Sequence, residues 1–257
     1  MTKKPLIVVC NDDGITAPGI QALVSAMEEI GDVLVVAPDG PQSGMGHAIT
    51  IGNTLRLDRS TAFPNHEAYE CSGTPADCIK MAKHQILKDR KPDLVVSGIN
   101  HGSNSSISVL YSGTMSAVIE AAIEGSPAIG FSLCDYEHEA DFSHTLPYVQ
   151  QLARLVLENG LPNGVCLNVN FPKKSKEKLK GLKVCRQARA QWREEFEERL
   201  DPRGRRYFWM LGSFVNEDLG EDTDEYAIAN NYVSVVPVQF DLTAHHAIAV
   251  LNQWELQ

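Results

Sequence analysis

The chain has 257 residues, 43% hydrophobic and 22% charged, an ordinary balance for a globular protein, and its length allows one large core or two small ones. A formal net charge of -10 weighs against extended nucleic acid as a ligand, because attraction to a phosphate backbone needs a basic surface. No apolar run approaches membrane-spanning length, and the six cysteines, none in a C-x-x-C pair, read as reduced core thiols of a cytoplasmic protein.

In chain order, residues 5–10 read as a buried strand; the apolar part of this opening stretch is too short for a signal sequence. Pro18 then suits the start of a helix that closes near Gly31, with Ile20, Leu23, Val24, Met27 and Ile30 at helical spacing. "DVLVVAP" (32–38) is a second strand. "TPADCIKMAKHQILKD" (74–89) reads as a helix with Thr74 as N-cap, Pro75 at its first position and Ile79, Ala82, Ile86 and Leu87 inward. "DLVVSGIN" (93–100) is a strand, 114–125 a helix ending at Gly125, 127–133 a strand, 144–160 mostly helix and 164–172 a strand. Short apolar strands alternating with amphipathic helices predict an α/β fold with a largely parallel sheet. After Pro172 the pattern changes. "KKSKEKLKG" (173–181) reads as a solvated connector, and "KVCRQAR", "RRYFWML" and "YVSVVPVQF" read as strands without strong helices between them, an antiparallel region or extending arm.

In open α/β sheets ligands bind beyond the carboxyl ends of the strands, and three polar clusters fall at such ends. The first strand runs into Asn11-Asp12-Asp13, the second into "DGPQSGMGH" (39–47), and the strand at 93 into "SGINHGSN" (97–104). An isolated Asp-Asp-Gly reads as a turn with a helix cap. Its place at the end of the first strand points instead to a ligand. Asp12 and Asp13 offer carboxylates, Ser43 a hydroxyl and Asn100 an amide oxygen, the donors a hard divalent cation takes. Such an ion would relieve the repulsion between the paired acids. "YSGT" (111–114) precedes a helix whose N-terminus would favour an anion, with capping by Ser112 or Thr114 as the plainer alternative. A cation beside an anion-binding helix end suits a phosphate ester. No P-loop and no G-x-S-x-G elbow is present. His47, His84, His138 and His144 show no readable partner pattern and read as structural or exposed.

The segments "NDDGITAPGI", "APDGPQSGMGHAIT", "CSGTPADC", "PDLVVSGINHGSN", "YSGTMSAVIEAAIEG", "DPRGRRYFWMLG", "DTDEYAIANNYVSVVP" and "DLTAH" cover most of the chain. In that order they resemble the SurE family of metal-dependent 5'-nucleotidases, the survival proteins. The resemblance implies one SurE-like domain over 1–257: a Rossmann-like three-layer core over 1–172 and a C-terminal region, 173–257, with an exchanged arm. It implies one divalent cation, Mg2+ or Mn2+, and hydrolysis of nucleoside 5'-monophosphates, with 3'-nucleotides or short polyphosphate as broader substrates. The family's metal positions map to Asp12, Asp13, Ser43 and Asn100. Its active-site amides and glycine loop map to Asn104, Ser112, Gly113 and Thr114, with Asn100, Asn104 and the loop at the substrate phosphate. Many relatives carry a further serine where this chain reads "SGMGHAIT", so Gly46 and His47 would alter substrate contacts there.

Two features stay open on the residues alone. Asp241 and His245, four apart in "DLTAH", would share one face of a helical turn. Asp241 then caps a helix with His245 at the surface, or, as related chains with D-x-T-x-H imply, the acid orients an imidazole that protonates the leaving nucleoside oxygen. Tyr207, Phe208, Trp209 and Met210 lie in either a core strand or an intersubunit arm, and the resemblance implies the arm, in a homodimer or homotetramer. Two other functions compete with phosphate release: a metal-dependent glycosyltransferase using a nucleotide-sugar, and a nucleotide sensor without turnover.

Overall fold

The computed structural model describes residues 4–137 and 139–254, so His138 lies outside the described residues. Six strands form a parallel central sheet: β1 (Leu6–Cys10), β2 (Asp32–Pro38), β4 (Glu67–Cys71), β5 (Leu94–His101), β6 (Ala128–Cys134) and β7 (Val165–Pro172). A short β3 (Leu57–Arg59) pairs antiparallel at one edge. At the other edge β11 (Val233–Gln239) pairs antiparallel with β7 and parallel with β8 (Leu182–Val184). The order across the nine strands is β3-β4-β2-β1-β5-β6-β7-β11-β8.

The strands read as unbroken apolar runs because both faces of the sheet are covered. Ile7 and Val9 face one core with Val35, Ala37 and Phe131. Over it lie α1 (Pro18–Glu28), through Ile20, Leu23 and Met27, and α4 (Leu146–Asn159), through Val149, Leu152 and Val156. Leu6, Val8 and Cys10 face the opposite core under α2 (Pro75–Met81) and α3 (Gly113–Ile123). The chain leaves β1 for β2 on one side and β5 for β6 on the other, so the sheet reverses direction between β1 and β5. Helix α1 seats directly on β5: a Cβ at Gly19 would lie 1.9 Å from the Ile99 carbonyl oxygen, so only glycine fits beside Asn100.

The predicted helix over 74–89 is shorter than its periodicity suggests. Thr74 and Asp77 form a reciprocal capping box, with Pro75 in the first turn as expected. After Met81 the helix widens into a π turn, Ala82–Leu87, which still buries Ala82 and Leu87 but leaves Ile86 half-buried. The expected strand "KVCRQAR" stops at Val184, and Arg186 makes only an isolated bridge to Thr223. The C-terminal region is not wholly antiparallel, since β8 and β11 run parallel within the main sheet. Two short helices also lie there, α5 (Asp224–Ala229) and α6 (His245–Leu251). Strand β9 (Ala190–Leu200) has no clear sequence signal; it forms a separate antiparallel hairpin with β10 (Arg206–Asn216).

Candidate active site at the strand ends

The first polar residues after β1 stand where the sheet reverses. Asn11 donates its amide to the Gly14 carbonyl (2.8 Å) and closes the turn. That turn holds Asp12, 4% exposed, against the start of α3, where the Thr114 hydroxyl donates to its Oδ1 (2.5 Å). Gly113 presses on the same carboxyl group: a Cβ there would sit 2.6 Å from the Asp12 Cβ and 2.8 Å from its Oδ2. Glycine is required because the Asp12 side chain occupies that space. Asp13 accepts a long bond from the His101 backbone N–H (3.4 Å).

Asn100 lies next to the end of β5, where pairing with β6 resumes after a break in register between Ser97 and Asn100, an irregularity of the kind that re-aims a side chain. Its amide nitrogen donates to the carbonyls of His101 (3.1 Å) and Gly102 (2.9 Å), leaving Oδ1 as its free ligand atom. The loop carrying the exposed Ser43 is tied to the same place, because the Gln42 N–H donates to the Asp12 carbonyl (2.7 Å).

Burial raises the Asp12 carboxyl to about 6, with the neighbouring Asp13 charge adding to the rise and the Thr114 hydroxyl opposing it. Burial raises Asp13 as well. No lysine or arginine contributes to either shift. Among the described residues no group of three His, Cys, Asp or Glu gathers, so a cation here would be held by two carboxylates, a hydroxyl and an amide. That all-oxygen set, with only His101 partly offsetting the charge of the acids, fits a hard divalent ion.

The predicted anion residues divide between backbone and side chain. Ser112 is the N-cap of α3, its hydroxyl accepting from the Met115 N–H (3.0 Å), and the Thr114 hydroxyl is given to Asp12. What α3 offers an anion is its N-terminal dipole and the first-turn N–H of Gly113. Asn104, 6% exposed, lies on the loop after β5.

Ser112 also borders a cavity of about 710 Å³ between α3 and the segment following β11, shared with His47, Phe240 and Asp241. Asp241 and His245 meet, Oδ2 to Nε2 at 3.0 Å, though His245 begins α6 and Asp241 precedes it. Asp241 does not cap α6; its Oδ1 accepts the Thr243 N–H (2.9 Å), and hydrogen bonds from Thr243, then His245, hold its carboxyl down at about 2. Both side chains are exposed, at 48% and 67%.

His47 does have a partner: Glu120 on α3, 3% exposed, accepts from His47 (2.9 Å) and Lys80 (2.6 Å). Seventy-three residues separate His47 from Glu120, so no local pattern reveals the pair. His144 reaches the carbonyls of Asp141 and Pro172, a structural place, and His84 is exposed. The sequence did hold a signal for Asn168 and Asn170: both lie two apart in an apolar strand, on the face toward the site.

The parallel sheet, its reversal between β1 and β5, and the acid pair at that point define a Rossmann-like α/β protein with a candidate site at the strand ends. The family model "Survival protein SurE" matches residues 7–194. The chain is 69% identical over 250 residues to 5'-nucleotidase SurE of Cytophaga hutchinsonii, covering 97% of this chain and 96% of that one. It is 62% identical over 254 residues to the protein of the same name from Flavobacterium psychrophilum, covering 98% of each. The crystal structure of the SurE protein from Aquifex aeolicus superposes with a TM-score of 0.84 at 37% identity, covering 96% of this chain and 98% of that one. The chain belongs to the SurE family.

Proposed function

We propose that this chain is a phosphomonoesterase that hydrolyses nucleoside 5'-monophosphates to nucleoside and phosphate, with one divalent cation, Mg2+ or Mn2+. The observation that carries the reading is the pair of adjacent carboxylates at the sheet's reversal point, with no lysine or arginine against them: Asp12 buried and packed against a helix N-terminus, Asp13 half-buried beside it. The relatives' name supplies the nucleotide. Asp12, Asp13, Ser43 and Asn100 would hold the cation, which when bound polarises the phosphoryl group and offsets its charge. Thr114 orients the Asp12 carboxylate, and the start of α3 receives the phosphate's negative charge. Asp241 fixes Nε2 of His245, leaving Nδ1 to give a proton to the departing nucleoside oxygen. The same chemistry extends to 3'-nucleotides and short polyphosphate.

Assembly into a homodimer or homotetramer is part of this proposal. The β9–β10 register places Trp192, Phe196, Leu200, Phe208 and Met210 on one face of the hairpin, 42–70% exposed, among Glu194, Glu198 and Arg206, a large-side-chain face that suits a second copy. A cytoplasmic location accords with six free cysteines. Among the described residues no helix is long and apolar enough to cross a membrane.

A phosphate-release assay over nucleoside 5'- and 3'-monophosphates, with and without EDTA, tests the reading. We expect release from 5'-monophosphates, stopped by EDTA and restored by Mg2+ or Mn2+. Transfer from a nucleotide-sugar, or nucleotide affinity without release, would replace it.

A further inference from the structure

Three polar side chains around Asn104 are buried in the sheet and spend most of their hydrogen bonds on that one residue. Asn170 Oδ1 accepts the Asn104 backbone N–H (2.8 Å). Asn168 Nδ2 donates to the Asn104 carbonyl (2.8 Å). The Asn104 carboxamide nitrogen donates to Ser132 Oγ (2.8 Å), and Asn170 Nδ2 donates to Asn168 Oδ1 (3.0 Å), closing the network. Ser103 joins at its margin, its hydroxyl reaching Asn170 Oδ1 at 3.4 Å. Ser132 and Asn170 are paired partners of β6 and β7, so both strands present their polar groups on one side, at the same level. Ser132, Asn168 and Asn170 are at most 2% exposed.

Three polar side chains buried this deeply gain nothing over an apolar core unless every group is bonded and the arrangement is needed. Here they grip Asn104 at its N–H, its carbonyl and its amide nitrogen. Among the described residues its Oδ1 is the one polar atom of Asn104 with no partner, and it is not sealed from solvent. That atom accepts hydrogen bonds and cannot donate one. It therefore suits a proton-bearing partner, a water molecule, better than the acceptor oxygens of a phosphate.

We propose that Ser132, Asn168 and Asn170 are positioning residues that hold Asn104 so that its carboxamide oxygen orients the water attacking the phosphate ester. The proposal rests on the hydrolytic reading above and deepens it. In the step it serves, the water oxygen forms a bond to phosphorus as the nucleoside oxygen leaves with the electron pair of its own bond; the water gives up a proton to solvent, the nucleoside oxygen takes one from His245, and Asn104 keeps its own protons throughout.

Ser132→Ala frees the carboxamide while changing little volume. With a nucleoside 5'-monophosphate, we expect kcat to fall roughly ten- to a hundred-fold, as for a misplaced reactant, with KM changed by less than about three-fold. Ser132→Thr, which keeps the hydroxyl, should recover most of the loss. A turnover-independent reading comes from the side-chain amide NMR signal of Asn104, assigned by its loss in Asn104→Ala. It should be a narrow, distinct pair in the wild type and in Ser132→Thr, and broadened or shifted toward solvent-exposed amides in Ser132→Ala. A raised KM with kcat preserved would place Asn104 on the phosphate and overturn the proposal. Unchanged kinetics, or an unchanged amide signal, would reduce the network to a structural role. Absence of phosphate release from the wild-type chain would defeat the hydrolytic reading and the proposal with it, and a narrow wild-type amide signal would tell that result apart from failure of the clamp.

Discussion

Burial lifts the Asp12 carboxyl from an ordinary value of about 3.9 to about 6. The folded chain thus holds this proton more tightly than the unfolded chain does. The resulting stability is fully present below about pH 4 and is lost as pH rises through about 6, so at neutral pH the ionised group costs the metal-free fold about 3 kcal/mol. Asp12→Asn removes that cost and keeps an oxygen for the Thr114 hydroxyl. In EDTA, urea unfolding should find the variant more stable than the wild type at pH 7.5, with the advantage shrinking toward pH 4. A less stable variant at pH 7.5 would mean that burial does not disfavour the charge.

His245 calls for a different comparison. His245→Ala should slow hydrolysis of a nucleotide much more than that of p-nitrophenyl phosphate, whose phenolate leaves without a proton. Equal losses on both substrates would leave the imidazole a positioning group. The site's acids are legible in the sequence because Asp12 and Asp13 interrupt an apolar run at a strand end. Capping by Ser112 was legible at the helix start, whereas the bond of the Thr114 hydroxyl to Asp12 was not, since only the packing of α3 on that acid shows it. Asn168 and Asn170 leave a polar trace in an apolar strand, but their grip on Asn104 does not show in the sequence: Ser132 lies 28 positions from it and Asn170 66 from its backbone N–H.

The helices were readable where local chemistry sets their ends. Pro18 and Pro75 sit in first turns, and Thr74 with Asp77 closes a capping box. The π turn after Met81 has no such marker, because Ala82 and Leu87 stay buried on a face that an α-helix would also bury. Strand β9 hides for a physical reason too: "REEFEER" crowds charge onto both faces, and its apolar residues turn outward with those of β10. A two-stranded hairpin is marginal by itself in water, and contact with another copy would stabilise this one. Sedimentation velocity at micromolar concentration should show a dimer or larger species. Phe196→Lys with Met210→Lys, two residues paired across the hairpin, should shift it toward smaller species. A wild-type monomer would end the assembly proposal.

Across the whole molecule, the two cores on either side of the sheet fix where chemistry can occur. Apolar packing seals the interior of both faces, and β1 and β5 bring Asp12, Asp13 and Asn100 together where their connections diverge. The alternation of strands and helices made this layout readable. The joining of β8 and β11 to the main sheet was less so, because β8 has three residues and β11 pairs with neighbours far away in sequence. The central claim is that one cation held by these residues makes the site hydrolytic, and it is tested most directly by titrating Mn2+ into metal-free wild type and Asp13→Asn. Calorimetry and phosphate release from a nucleoside 5'-monophosphate would be followed in parallel. We predict one Mn2+ per wild-type chain, turnover rising as that site fills, and both responses shifted to far higher Mn2+ in the variant. Full turnover in the metal-free wild type, or an Asp13→Asn variant that binds Mn2+ and turns over like the wild type, would contradict it.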